Sequence, residues 1–119
     1  MDRTNSSDII LITNTVHGNN LTICFSGYLV YQNSGLAKEK LNENYKDSDG
    51  YILDFSKVTR IDSTGFGLIL NFMSKKPKNS PVVAVVCDEF IMELFKITKI
   101  DRLVPLCSSI DEALKLISK

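Results

Sequence analysis

Residues able to do chemistry gather in one stretch. Asp54 ends an apolar run, and after a polar segment come Asp62, Ser63, Thr64, Gly65, Phe66 and Gly67. A strand-like segment leads in, and a helix-like one follows. Hydroxyls at a helix start accept hydrogen bonds from the free N–H groups of the first turn. Capping would account for one hydroxyl here, but not for two glycines. Glycine in a helix costs roughly 1 kcal/mol relative to alanine. That cost is offset where another backbone or a partner must come close. Two familiar chemistries fail on spacing. No Lys-Ser/Thr follows the glycines as in a Walker loop, and the third glycine of Gly-x-Gly-x-x-Gly is missing. A nucleophile elbow needs Gly-x-Ser-x-Gly with a histidine and an acid. Here the first glycine is absent, and His17 is the only histidine in the chain.

The helix after Ser63 should turn Phe66, Ile69, Leu70 and Met73 inward, with Thr64, Gly67, Asn71, Ser74 and Lys75 on the polar arc. Leu68 and Phe72 widen the apolar stripe beyond the usual core-facing arc. Two readings stand for them. They pack under a neighbouring helix, or they form an exposed apolar rim beside Ser63 on which a protein docks.

Other candidate sites are thin. Cys24, Cys87 and Cys107 are three in number and far apart, with no Cys-x-x-Cys pair, which argues against zinc and against a disulfide framework. Cys24 and Cys87 lie in apolar strand-like runs and read as core; Cys107 is uninformative. His17 stands in a Gly-Asn turn and reads as a turn residue in water. No metal, cofactor or catalytic set emerges.

The elements that must hold the stretch follow from periodicity. Ile9 to Val16 and Leu21 to Val30 read as strands, joined at His17-Gly18-Asn19-Asn20 into an N-terminal hairpin. Leu36 to Tyr45 reads as a helix with Leu36, Ala37, Leu41 and Tyr45 on one face. Tyr51 to Phe55 is a short strand, followed by a loop and by a helix from Ser63 to Lys76, ended by Pro77 and Pro81. Pro81 to Cys87 has the continuous apolar pattern of a strand covered on both faces. Glu89 to Ile97 reads as a helix with Phe90, Leu94 and Ile97 on one face. Leu103 to Leu106 reads as an edge strand because of Pro105, and Ser109-x-x-Glu112 is a capping box opening a last helix to Ser118. The order β-β-α-β-α-β-α-β-α predicts an α/β layer with a mixed sheet.

The chain has 119 residues, 44% of them hydrophobic and 24% charged, with a formal net charge of +0. This suits one globular domain over 1–119, with an ordered core about residues 9–118. The balance leaves no electrostatic footprint for nucleic acid or a membrane surface. Without a signal-type apolar stretch, the expected location is the cytoplasm.

The run from Asp54 through Leu70 resembles the signature of the STAS domain of bacterial anti-sigma-factor antagonists. There an aspartate closes a strand, and after a loop Asp-Ser-Ser/Thr-Gly-hydrophobic-Gly opens a helix. This chain matches at Asp54, Asp62, Ser63, Thr64, Gly65, Phe66 and Gly67. The order of elements is similar along nearly the whole chain, and Phe90 to Leu103 resembles the family's third helix and following turn. The resemblance implies a mixed sheet with about four helices packed mainly on one face. It also implies a partner switch rather than an enzyme. Ser63 would be phosphorylated by an anti-sigma factor that is itself a serine kinase, with Thr64 the second candidate acceptor. The unphosphorylated form would bind that kinase, and a phosphatase would reset it. Asp62, Ser63, Thr64, Gly65, Phe66, Gly67, Leu68 and Phe72 would make the partner surface. Phosphate adds about −1.5 to −2 charges. A helix N-terminus accepts negative charge by roughly 0.3 to 1 kcal/mol, so the fold need not rearrange, and the penalty falls on whatever presses against Ser63. The chain departs from antagonists where they carry Gly-Glu-x-Asp. Gly27-Tyr28-Leu29-Val30 keeps the glycine and lacks both acids. The alternative is a non-switching STAS subunit of a lipid-transport ABC ATPase or of a stressosome-like assembly.

Overall fold

The computed structural model describes residues 9–118. Strands β1 (Ile10–His17) and β2 (Asn20–Leu29) pair antiparallel, from Ile10 opposite Gly27 to His17 opposite Asn20. Between them is a two-residue turn whose first position, Gly18, has φ 61°, a conformation glycine adopts at no steric cost. A 3-10 turn (Tyr31–Asn33) leads directly into α1 (Ser34–Asn44). Then follow β3 (Gly50–Ile61), α2 (Ser63–Lys75), β4 (Val82–Val85), α3 (Glu89–Ile97), a second 3-10 turn (Ile100–Arg102), β5 (Leu106–Cys107) and α4 (Ile110–Ile117). The five strands lie in sequence order, and every pairing after the hairpin is parallel. The expected α/β fold with a mixed sheet and an N-terminal hairpin is the fold observed.

The helices divide unequally between the two faces. On one face Leu21, Ile23, Phe25, Tyr51, Leu53 and Phe55 meet Ala37 of α1, Phe66, Ile69 and Phe72 of α2, and Phe95 of α3. On the other, Ile52, Val83, Val85 and Cys107 meet Ala113 and Ile117 of α4. Thus β4 and the first part of β3, Tyr51 to Leu53, are covered on both sides, which is why their sequence is continuously apolar. Three helices share one face and one takes the other, as the expectation of packing mainly on one face allows.

Several elements differ from the sequence reading. β3 does not stop at Phe55. Its second half pairs with β2 through Lys57, Val58, Arg60 and Ile61. Two register shifts interrupt the ladder there, and Gly27 takes φ 97°. Bulges of this kind break the period of two, so Phe55, Val58 and Ile61 are buried at intervals of three and the segment resembles a loop. The last strand is Leu106–Cys107, because Ile100–Arg102 and the residues after it form turns first. On α3 the core residues are Ile91 and Phe95, whereas Phe90 and Ile97 are 72% and 71% exposed. The cysteines also change places. Cys107 is buried and Cys87 exposed, and half-buried Cys24 donates its thiol to Asp54 Oδ2 at 3.7 Å. Burial, and then the Asp54 charge, push the Cys24 thiol pKa up.

Candidate functional site

The site is built where β3 turns into α2. Asp62 stands in extended conformation ahead of the helix, and its Oδ1 accepts the Thr64 N–H at 2.9 Å and the Gly65 N–H at 3.2 Å. Its Oδ2 accepts the Tyr31 N–H at 3.1 Å. One carboxylate therefore caps α2 and ties it to the turn that begins α1. The capping role anticipated for a hydroxyl belongs to Asp62. Ser63 and Thr64 are the first two helical residues. Ser63 is exposed, and among the described residues its hydroxyl has no hydrogen-bond partner, while Thr64 is half-buried.

The two glycines serve different purposes. Gly65 is buried, and a Cβ there would drive into the Leu29 carbonyl oxygen and lie 2.7 Å from Ile61 Cγ1. α2 thus rests directly on the end of β2, which also receives the Asp62 N–H on Leu29 O at 3.4 Å. Gly67 is exposed, and a Cβ there would meet nothing within 4 Å. The packing of the chain explains Gly65 and leaves Gly67 open to the outside.

Of the two readings of Leu68 and Phe72, packing inside the molecule is the one observed, and these residues form no exposed rim. Leu68 is 9% and Phe72 5% exposed. Phe72 meets Tyr45 and Tyr51 edge-on, with ring centroids 5.9 and 5.2 Å away. Phe66 is likewise buried, edge-on to Phe95 at 5.0 Å. The wide stripe is needed because α2 is wedged between α1, α3 and the sheet. Of the six, Asp62, Ser63, Thr64 and Gly67 reach the surface, whereas Gly65 and Phe66 hold the helix in place. The exposed apolar side chain on α2 is Leu70, which the stripe had assigned inward.

Three hollows surround this end of α2. One of about 530 Å³ separates α2 from the turn after α3. Ser63, Gly67 and Leu70 line one side, and Lys99, Arg102 and Leu103 the other. A second, of about 500 Å³, runs between α2 and α1, past Thr64, Gly67, Asn71, Ser34 and Lys38. A third, of about 570 Å³, is lined by Tyr28, Val30, Gln32, Arg60 and Asp62. In it the Arg60 guanidinium lies 5.1 Å from the centre of the Tyr28 ring, within reach of a cation–π attraction. Where antagonists carry two acids, this chain presents an aromatic ring under a cation, and a buried Val30. Sequence reading missed Leu70, Lys99, Arg102 and Leu103 as neighbours of Ser63. The last three lie about forty residues away, and the one signal was the spacing of three between Lys99 and Arg102, which a short turn makes neighbours.

Among the described residues no group of three or more His, Cys, Asp or Glu side chains could hold a metal ion. No helix there is long and apolar enough to cross a membrane.

Residues 11–113 match the model of the STAS domain family. An anti-sigma factor antagonist from Mycobacterium paratuberculosis superposes with a TM-score of 0.82 at 18% identity, over 98% of this chain and 100% of its own. A candidate anti-sigma factor antagonist from Thermotoga maritima gives 0.79 at 21% identity, over 91% and 95%. A murine anion transporter of the solute carrier 26 family gives 0.71 at 16% identity, over 84% of this chain but 18% of the transporter. At these identities the likeness is one of fold. No curated protein sequence matches the chain.

Proposed function

The chain belongs to the STAS domain family, and from that premise we propose that it is an anti-sigma-factor antagonist, a switch that binds an anti-sigma serine kinase while Ser63 is unmodified and releases it once Ser63 is phosphorylated. The observation that carries this reading is the free Ser63 hydroxyl. It is exposed on the first turn of a helix already capped by Asp62. A hydroxyl with no structural duty, next to an exposed glycine with no internal neighbour, suits a surface that a kinase must reach.

The partner would meet Asp62, Ser63, Thr64 and Gly67, with Leu70 and Leu103 supplying the apolar contact first sought in Leu68 and Phe72. Leu70 is 44% and Leu103 58% exposed, and both line the hollow that Ser63 lines. Phosphate on Ser63 would place about two negative charges in that contact. Desolvating them against a partner is costly, whereas the helix end itself accepts them. Thr64, half-buried, is the second candidate acceptor. A phosphatase would be needed for reset, and the setting would be the bacterial cytoplasm. The role is binding; no catalytic residue is assigned.

The test is direct. The protein is recovered from its own cells with whatever accompanies it, and mass spectrometry locates phosphate and names the partner. With that partner in hand, Ser63→Ala should bind as the parent does. Ser63→Asp and Ser63→Glu should lose tenfold or more, equivalent to at least about 1.4 kcal/mol, with little change in melting temperature. Acidic variants that bind normally would put the interface elsewhere. The Tyr28–Arg60 stack in place of the acids favours a second reading, a non-switching STAS subunit. Co-purification with an ABC-type ATPase or elution as a large assembly, with Ser63 unmodified, would support it.

A further inference from the structure

Two cations share the hollow with Ser63. Lys99 and Arg102 line it from the turn that follows α3. Lys99 sits at φ 63° and ψ 16°, and among the described residues it is the one non-glycine residue with positive φ. This position after a helix end ordinarily takes glycine or asparagine. The Arg102 N–H donates to the Lys99 carbonyl at 3.1 Å, which closes one turn between the two residues. Both cations border the hollow that Ser63 lines. Among the described residues neither is in an ion pair, the pair present being Lys40 with Glu43. Asp62, the acid next to Ser63, has both carboxylate oxygens committed to backbone N–H groups.

We propose that Lys99 and Arg102 form an intramolecular receiver for the phosphate of phosphorylated Ser63. The inference rests on the reading of Ser63 as the modified residue and adds to it how the modified state is held. A phosphate joined to the turn after α3 spans the hollow and covers its apolar floor of Phe66 and Ile100. The switch then works by closing a groove as well as by repulsion.

The test uses the full chain with phosphoserine installed at position 63 during synthesis, so that no kinase is required. Phosphorus NMR follows the second ionisation of the phosphate, ordinarily near pH 6. Nearby cations favour the dianion and lower that pKa. The variant pair Lys99→Asn with Arg102→Gln should raise it by about half a unit or more, the modest size reflecting solvent-exposed charges. Asparagine is chosen because it tolerates the left-handed backbone. Arg102→Gln alone, at an exposed position, should raise it part of the way and keeps the test open if the double variant does not fold. Arg60→Gln, in the Tyr28 hollow, should leave it unchanged. Equal titration of parent and Lys99/Arg102 variants overturns the assignment, as does a shift produced by Arg60→Gln instead. The two readings fail separately. A protein that never carries phosphate in its cells removes the switch but leaves the receiver measurable. A phosphorylated protein whose phosphate ignores both cations removes the receiver alone.

Discussion

Ser63, Thr64 and the two glycines were legible as a group, but their division of labour was not. Sequence pattern cannot distinguish a glycine needed by the fold from one left for a visitor, because that depends on what lies across the gap. Substitution separates them. Gly65→Ala forces a methyl group against the Leu29 carbonyl and should cost about 1–3 kcal/mol, as overpacking does. Gly67→Ala meets empty space and should stabilise the helix by up to about 1 kcal/mol, while weakening any partner that approaches there. Urea unfolding measures both. If Gly65→Ala is as stable as the parent, α2 is not seated on β2 in the manner described. The two readings of Leu68 and Phe72 could not be separated for a related reason. A broad apolar arc signals either burial on three sides or an exposed patch, and the tyrosines that settle it lie on other elements.

At the scale of elements, the end of α1 is moored to β3 by Tyr45. Its hydroxyl donates to Asp47 Oδ1 at 2.7 Å, and its ring stacks on Tyr51 at 5.9 Å. The Tyr51 hydroxyl donates to the Lys46 carbonyl at 2.9 Å. Burial first, and then the Asp47 hydrogen bond, raise the Tyr45 pKa. The sign follows from linkage. A group whose folded pKa lies above its unfolded value gives stability that is complete below the unfolded value and lost as pH rises past it. The unfolded value of tyrosine is about 10, so melting temperature should fall more steeply above pH 10 in the parent than in Tyr45→Phe. Parallel curves for the two proteins would show that this tyrosine is not responsible. β2 alternates from Ile23 to Leu29 and β4 is apolar throughout, and both were recognisable. The second half of β3 was not, since the extra residues that its two register shifts insert remove the alternation on which recognition depends. On α3 the ridge of Phe90, Leu94 and Ile97 formed a plausible buried face. Yet Ile91 and Phe95 face the core, because helical spacing alone does not fix which of two apolar stripes points inward.

Across the whole molecule, α2 is held from two directions. Asp62 ties its start to the Tyr31 turn, and Gly65 presses it on Leu29. A charge added to Ser63 has little freedom to move the helix. Backbone amide shifts on phosphorylation should therefore be confined to the first turns of α2 and to residues 98–103, with β1 and α4 silent. Widespread shifts would reveal a rearrangement that this fastening argues against. The seating of α2 on Leu29 has a further consequence. With no lever from Ser63 into the interior, the state of that residue is inscribed only on the outside, like raised lettering. A protein gripping the α4 side would learn nothing from it, and any reader has to put its own surface on the letters.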